Sequence, residues 1–241
     1  MTVRILLATT NSYKISEIRS LLSDCPVELV GLDELGFAGD EPLEDGLTFE
    51  ANAIKKGCFY AIQTNCLCLS DDSGLEVDVL GGEPGVRSAR FAGLEGPRQM
   101  VDRANNRLLL ERLGETSPKQ RTARFVCVMV LCAPPEALPS LREEPVQVGL
   151  HSSEGLVLAV ARGTIEGQIL TLDEAVDSTN PVHLPEAGRG VNGFGYDPLF
   201  LVPGLGRTTA ELTPEQKNRI SHRGQASRQM KQKLLGLFGD Q

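Results

Sequence analysis

The chain has 241 residues, 41% of them hydrophobic and 23% charged, which is an ordinary composition for a globular protein. Its net charge of −8 predicts no broad basic surface, which argues against polymeric nucleic acid but not against a small anion held by local cations. No segment approaches the roughly 20 apolar residues of a membrane span, and the start MTVRILLATTNSYK lacks the shape of a signal peptide. We therefore expect a cytoplasmic protein with no membrane partner.

Alternating apolar patterns predict a mixed α/β protein with a central sheet. Strands are predicted at 3–8, 66–70, 75–80, 121–133 and 156–170, and helices at 14–24, 45–63, 96–114, from 214 and beyond 224. The expected helix caps are Thr48 for the second helix, Pro97 in the first turn of the third, and a capping box of Thr213 and Gln216. Ala226, Met230 and Leu234 are expected to form the buried face of the last helix.

Two proline- and acid-rich stretches, near 134–154 and 173–189, are predicted to be exposed inserts. The six cysteines form no CxxC pair and four lie in apolar runs, which favours buried free thiols over disulfides or zinc. The three histidines at 151, 183 and 222 are too scattered to predict a metal cluster.

The segment LLATTNSYK predicts a strand, a polar turn and a helix with Lys14 in its first turn. Free N–H groups, hydroxyls and the helix dipole at such a turn suit a phosphate. The alternative is ordinary helix capping by Asn11 or Ser12, and this stretch alone does not exclude it.

The segment SDDSG places Asp71 and Asp72 at the end of an apolar strand, followed by a predicted turn at Ser73-Gly74. One or two carboxylates with phosphate oxygens are a usual protein environment for Mg²⁺. Because side chains alternate along a strand, we expect one acid to face a site and the other to pair locally. An Asx-turn without chemistry is the alternative.

Two further segments carry candidate binding groups. GFGYDPLF offers Phe194 and Tyr196 beside Asp197, which could stack on a purine and accept a hydrogen bond from its ring; a core aromatic is the alternative. EQKNRISHRG predicts a cationic cluster of Lys217, His222 and Arg223, with solvated surface charges as the alternative.

Together these motifs, in the order LATTNSYK, LSDDSGLEVDVLGGEPGVRSARFAG, GFGYDPLF and ELTPEQKNRISHRGQA, resemble the inosine/xanthosine triphosphate pyrophosphatase family. The resemblance covers residues 3 to about 235, apart from the two inserts. It implies a single domain over 1–241 with an elongated mixed central β-sheet, flanking helices and two lobes with a nucleotide cleft between them. It also implies a homodimer that uses Mg²⁺ to hydrolyse ITP, dITP or XTP to the monophosphate and pyrophosphate.

The resemblance also implies roles for individual residues. Asp72 would be the catalytic base and a metal ligand, and Ser73 would touch the substrate. The remaining substrate-binding residues would be Thr9, Thr10, Asn11, Ser12, Tyr13, Lys14, Phe194, Gly195, Tyr196, Asp197, Lys217, His222 and Arg223.

One position departs from the family pattern. Relatives carry a glutamate directly before the asparagine of TFxENA, whereas this chain has Ala51 there and Glu50 one residue earlier, which leaves Glu50 as a second candidate metal ligand. Three alternatives stay open: a phosphatase with a covalent aspartate, a pyrophosphatase for other modified nucleotides, and a non-catalytic nucleotide-binding module.

Overall fold

A computed structural model describes residues 3–135, 155–176 and 185–239. The helices are Ser12–Leu21 (α1), Leu32–Leu35 (α2), Phe49–Thr64 (α3), Arg98–Leu113 (α4), Leu172–Ala175 (α5), Pro214–Ile220 (α6) and His222–Phe238 (α7). The strands are Val3–Leu7 (β1), Val27–Gly31 (β2), Leu67–Val77 (β3), Thr122–Ala133 (β4), Leu156–Ile169 (β5), Phe200–Val202 (β6) and Arg207–Thr208 (β7). Among these described helices, none combines the length and the apolar character that a membrane crossing requires.

The strands form one mixed sheet in the order β2-β1-β3-β4-β5-β6-β7. β1 runs parallel to β2 and to β3, and its Leu7 is paired with Leu69. β6 runs antiparallel to β5 and β7. Helices flank this sheet, so the predicted α/β class with a mixed central sheet is confirmed.

The described residues divide into two compact units. The first lies within Met1–Asp72, Cys127–Gly163 and Arg223–Gln241, and the second within Ser73–Val126 and Thr164–His222. The core of the first unit is built from β1, β3, β4, β5, α1 and α7, and it includes the predicted apolar face of the last helix. The core of the second unit gathers Leu75, Leu109 and Phe200 with their neighbours. The single-domain organisation stays a prediction.

Local capping signals place several helices as the sequence predicted. The Thr48 hydroxyl accepts from Ala51 N at 3.1 Å, which makes residue 51 the third position of α3. Thr213 and Gln216 form the predicted capping box of α6. Pro97 is the N-cap residue of α4, one position before the predicted first turn.

The predicted turn at Ser73-Gly74 is wrong, because β3 continues through it to Val77. A Cβ at Gly74 would lie 2.3 Å from the Ser88 hydroxyl and 2.7 Å from the Gly85 carbonyl oxygen. Glycine is therefore required at position 74 because the Ser88 side chain and the Gly85 backbone pack closely against the strand there, and not because the chain turns.

The inserts were predicted as exposed excursions, and most of their residues, 136–154 and 177–184, lie outside the described residues together with His151 and His183. The two described ends of the second insert differ. At the first end Asp173, Glu174 and Val176 are exposed and only Ala175 is buried, so the predicted exposure is confirmed for most of it. At the second end the buried Glu186 carboxylate accepts from Arg107 at 2.6 Å, so the predicted exposure is wrong there.

Candidate active site

The turn after β1 is capped by its own side chains. Asn11 Oδ1 accepts from the backbone N–H of Tyr13 at 3.1 Å and of Lys14 at 3.4 Å, and the Thr9 hydroxyl accepts from Asn11 N at 3.2 Å. α1 therefore starts at Ser12, earlier than the periodicity predicted. The capping interpretation is confirmed for Asn11, while the exposed Ser12, the partly exposed Tyr13 and the Thr10 hydroxyl stay candidates for phosphate contact.

Lys14 extends from this turn to the first of the paired acids. Its Nζ lies 3.1 Å from Asp71 Oδ2, and Arg223 Nη2 lies 3.2 Å from the same oxygen. Arg223 Nη1 is bound to Glu17 at 2.5 Å. Asp71 and Arg223 are both buried, so a charge cluster within the first unit holds them.

This cluster changes the acidity of Asp71. Burial raises the pKa of its carboxyl, but Lys14, Arg223 and Lys56 outweigh burial and hold that pKa well below its usual range. Burial lowers the pKa of the Arg223 guanidinium, but the carboxylates of Asp71 and Glu17 outweigh burial and raise it. The Asp71 carboxylate is therefore ionised at neutral pH and pairs with the cations around it.

Asp72 has the opposite character, although it is the next residue in β3. Burial raises the pKa of its carboxyl, and Glu44 raises it further. Lys14, Lys56 and the side chain of Asn52 lower the pKa, but they do not cancel these effects. Since adjacent side chains of a strand point to opposite faces, Asp71 and Asp72 occupy different environments, and a pair of acids whose pKa values are pushed apart is typical of acid–base sites.

The sequence interpretation missed three residues near Asp72, two of them in α3 and one in the loop that precedes it. Lys56 is largely buried, pairs with Glu44 at 2.7 Å and interacts electrostatically with both aspartates. Asn52 is fully buried, and its Oδ1 accepts from Gly46 N at 2.7 Å. Asn52 and Lys56 are four residues apart and share one face of α3. This spacing is the signal in the sequence that could have identified Asn52 and Lys56. Glu44 lies in the loop before α3, where no sequence pattern marks it as a site residue.

The predicted metal ligand Glu50 lies exposed at the second position of α3. Glu44 is the glutamate that acts electrostatically on Asp72. This interaction, together with the exposure of Glu50, favours Glu44 over Glu50 as the second acid of the site. Ser73 follows Asp72 in β3 and is partly buried.

The second unit contains a carboxylate that accepts three hydrogen bonds, Asp197. Its Oδ2 accepts from Phe194 N at 2.8 Å and from Lys217 Nζ at 2.7 Å, and its Oδ1 accepts from the Thr209 hydroxyl at 2.7 Å. Lys217 and Asp197 are both buried. A cation and an anion are thus fixed side by side.

The aromatic residues of GFGYDPLF differ in exposure. The ring of Phe194 is partly exposed, with Arg98 Cζ at 5.3 Å and Lys217 Nζ at 5.2 Å from its centroid. Tyr196 is buried, and its hydroxyl donates to the Ser88 carbonyl at 2.9 Å. Phe194 is therefore the aromatic that can meet a ligand, and Tyr196 anchors the loop.

The segment EQKNRISHRG does not form the predicted cationic cluster, because its three basic residues bind different partners. Lys217 pairs with Asp197, His222 stacks on Phe125 at 4.9 Å between ring centroids, and Arg223 pairs with Asp71 and Glu17. All three side chains are buried, so the solvated-surface alternative is wrong as well.

The thiol prediction is confirmed, since all six cysteines are free and five of them are buried. The Sγ atoms of Cys58 and Cys132 lie 3.4 Å apart.

Comparison with known proteins decides the family. The model of the Ham1 family matches residues 5–233. The chain belongs to the Ham1 family. It is 41% identical to a dITP/XTP pyrophosphatase of Exiguobacterium sibiricum, with 99% of this chain and 100% of the relative covered. It is 40% identical to a dITP/XTP pyrophosphatase of Escherichia coli O157:H7, with coverages of 92% and 93%.

Solved structures agree with this assignment. A HAM1 protein from Coxiella burnetii is 34% identical, has a TM-score of 0.74, and matches over 97% of this chain and 99% of its own. The predicted membership of the inosine/xanthosine triphosphate pyrophosphatase family is therefore confirmed.

A stability measurement tests the ion cluster of Asp71. Replacing Asp71 with asparagine should lower the free energy of unfolding by about 3 kcal/mol at pH 7, because Lys14 and Arg223 lose a buried partner. The pKa of Asp71 is depressed in the folded state and about 3.9 when unfolded, so its contribution is complete above that value and is lost as pH falls. The difference between wild type and Asp71→Asn in urea unfolding should therefore shrink below about pH 4.

The control is Asp33→Asn, which changes an exposed acid of α2 and should give no such pH-dependent difference. Both proteins are measured with a chelator present. A stability difference for Asp71→Asn that stays constant between pH 7 and pH 3 would show that the carboxylate is not held by these cations.

Proposed function

We propose that this chain is a Mg²⁺-dependent hydrolase that converts ITP, dITP and XTP to the nucleoside monophosphate and pyrophosphate, and so removes non-standard purines from the nucleotide pool. The observation that carries this proposal is the buried Asp72 carboxyl, whose pKa is raised and which interacts with the ammonium groups of Lys14 and Lys56. The names of the relatives support the class of reaction, hydrolysis of a triphosphate anhydride bond.

In the proposed reaction, Asp72 accepts a proton from a water molecule as the water oxygen attacks the α-phosphorus. A new P–O bond forms, the bond between the α-phosphorus and the bridging oxygen breaks, and pyrophosphate leaves. A raised pKa suits this task, because it makes the Asp72 carboxylate a stronger proton acceptor than an ordinary aspartate. Lys14 and Lys56 offset the negative charge that develops on the phosphates.

The residues around Asp72 fit a magnesium ion. Among the described residues no three His, Cys, Asp or Glu side chains form a metal-binding group, but Asp72 and Glu44 interact as two neighbouring carboxylates. Mg²⁺ commonly uses one or two carboxylates together with phosphate oxygens and water. When bound by Asp72, Glu44 and the triphosphate, it would neutralise phosphate charge and orient the leaving group.

The base end of the substrate is proposed to bind at Phe194, Asp197 and Lys217. A 6-keto purine offers an N1–H donor beside an O6 acceptor, and the fixed pair of Asp197 and Lys217 offers an acceptor beside a donor. A carboxylate has about four acceptor positions, and Asp197 uses three, so one is left for N1–H. Lys217 replaces Arg223 as the proposed donor to O6, because both terminal nitrogens of Arg223 are bound by carboxylates.

A panel of nucleoside triphosphates with Mg²⁺, assayed separately for pyrophosphate and phosphate, tests the function. We expect pyrophosphate from ITP, dITP and XTP, with ATP disfavoured by about 10⁴ in kcat/KM because its N1 and amino group mismatch the buried pair. Release of phosphate would indicate a phosphatase, and binding without turnover would indicate a nucleotide-binding module. Comparable efficiency on ATP and ITP would refute the proposed base recognition.

The magnesium requirement distinguishes the candidate ligands. Glu44→Gln should raise the magnesium concentration for half-maximal rate by about tenfold, since it removes one of two carboxylates, while Glu50→Gln should change it little. Ala51→Glu adds an acid at the third position of α3 and should lower the requirement. The measurement is a magnesium titration of pyrophosphate release. A sharp increase for Glu50→Gln with no change for Glu44→Gln would reverse the assignment.

Two further properties are proposed from the family resemblance: a homodimer and a cytoplasmic location. Sedimentation of the purified chain measures the first, and microscopy of a fluorescent fusion in cells measures the second.

A further inference from the structure

Two side chains of α4 hold Gly195 from both sides of its backbone. Asp102 Oδ2 accepts from Gly195 N at 2.9 Å, and Asn106 Nδ2 donates to the Gly195 carbonyl oxygen at 3.2 Å. Asp102 and Asn106 are four residues apart, so they project from the same face of the helix. Asn106 is buried and also donates to the Glu186 carbonyl at 3.1 Å.

These contacts complete a series of three consecutive peptide groups fixed by side chains. Asp197 holds the N–H of Phe194, Asp102 holds the N–H of Gly195, and Asn106 holds the carbonyl of Gly195. Gly195 itself has a φ of 62°, a left-handed conformation that costs little only for glycine. The backbone on both sides of Phe194 is therefore fixed by residues that do not include Phe194.

Asp102 also connects the backbone clamp to the aromatic ring. Its Oδ1 lies 2.8 Å from Arg98 Nε, and the guanidinium of Arg98 lies over the Phe194 ring. The same carboxylate thus fixes the peptide that follows Phe194 and the cation that contacts its ring.

We infer that Asp102 and Asn106 are positioning residues that set the base selectivity of the enzyme by clamping Gly195 and so orienting Phe194. This inference rests on the proposed function, because it assigns Phe194 to the base of the nucleotide. Neither side chain needs to contact the substrate. The clamp acts on the recognition of the base and leaves the phosphate-binding residues of the first unit unchanged.

The test compares ITP, ATP and inorganic tripolyphosphate, which carries the phosphates without a base. Asp102→Ala and Asn106→Ala should each lower kcat/KM for ITP by about tenfold, mainly through KM, and reduce the ratio of ITP to ATP efficiency by a similar factor. The inhibition constant of tripolyphosphate should stay within about twofold of wild type. Asp102→Asn keeps an acceptor oxygen for Gly195 N–H and should recover most of the loss. The double variant should lose less than the product of the single losses, since both residues act on Gly195.

Asn105→Ala is the matched control. Asn105 is a buried asparagine of the same helix, but its amide binds Ser88, Ala89 and Ala92. Its replacement should lower stability in urea unfolding without changing the ratio of ITP to ATP efficiency. The clamp would be overturned by an equal change of that ratio in Asn105→Ala, or by an unchanged ratio in Asp102→Ala and Asn106→Ala. A parallel loss of tripolyphosphate inhibition in Asp102→Ala and Asn106→Ala would overturn it as well.

Calorimetric binding separates the clamp from the proposed reaction. If wild type binds ITP without releasing pyrophosphate, the proposed function fails. A weaker binding of ITP but not of tripolyphosphate in Asp102→Ala and Asn106→Ala would then still support the clamp, and equal binding of ITP by wild type and variants would refute it.

Discussion

Replacing Asp72 with asparagine is expected to reduce the rate of pyrophosphate release by at least about 100-fold, because the variant loses a general base and a proposed metal ligand together. The substitution preserves the shape of a side chain that is almost fully buried. Lys14 and Lys56 remain to bind and orient the phosphates, so nucleotide binding should persist. Initial rates and calorimetric binding of ITP, measured on the same preparation, give both quantities.

Asp71→Asn is the control for this result, since it changes the neighbouring acid on the opposite face of β3. Once the variant is shown to be folded at the assay temperature, its rate should fall much less than that of Asp72→Asn. Equal losses in the two variants would mean that both carboxylates act in the reaction, and a near-normal rate in Asp72→Asn would refute its role as the base.

Replacing Arg223 with leucine is expected to lower the free energy of unfolding by about 3 kcal/mol, because buried Asp71 loses one of its two cations and the partly buried Glu17 loses its partner. Arg223 is fully buried and bridges Asp71 and Glu17. Urea unfolding monitored by circular dichroism measures the loss. The double variant Asp71→Leu with Arg223→Leu should be less destabilised than the sum of the two single variants, because removal of both charges leaves one fewer uncompensated ion.

Lys231→Ala is the matched control for Arg223. Lys231 also joins α7 to an acid, Asp24, but that pair is exposed, and exposed pairs contribute little to stability. A loss in Arg223→Leu no larger than that in Lys231→Ala would show that the buried cluster does not stabilise the fold.

Short-range patterns in the sequence predicted most of the architecture. Period and capping residues placed α3, α6 and α7, because Thr48 and Thr213 act on backbone groups only three residues away. The apolar runs of β4 and β5 were equally clear, since each is long and mostly buried. The four motifs were long enough, and their order along the chain specific enough, to predict the family.

Features that depend on distant contacts were missed or misread. Gly74 was interpreted as a turn, although its requirement comes from Ser88 and Gly85 packing against the strand. The burial of Arg223 in an ion cluster was not predicted, because its partners Glu17 and Asp71 are 206 and 152 residues away in the sequence. Lys56 was passed over as one of two adjacent lysines, since only burial distinguishes it from the more exposed Lys55.

The pairing of β1 with β3 has a consequence for how this site can change. A strand that slips by one residue moves every side chain to the opposite face of its sheet. In β3 such a slip would put Ser70 and Asp72 on the face that now carries Asp71, and would carry the proton acceptor into the cluster of Lys14 and Arg223. The pairs Ile5 with Leu67, Leu6 with Cys68 and Leu7 with Leu69 hold the register just before the acids. Insertions or deletions between Leu69 and Asp72 should therefore abolish the chemistry even where the strand still forms.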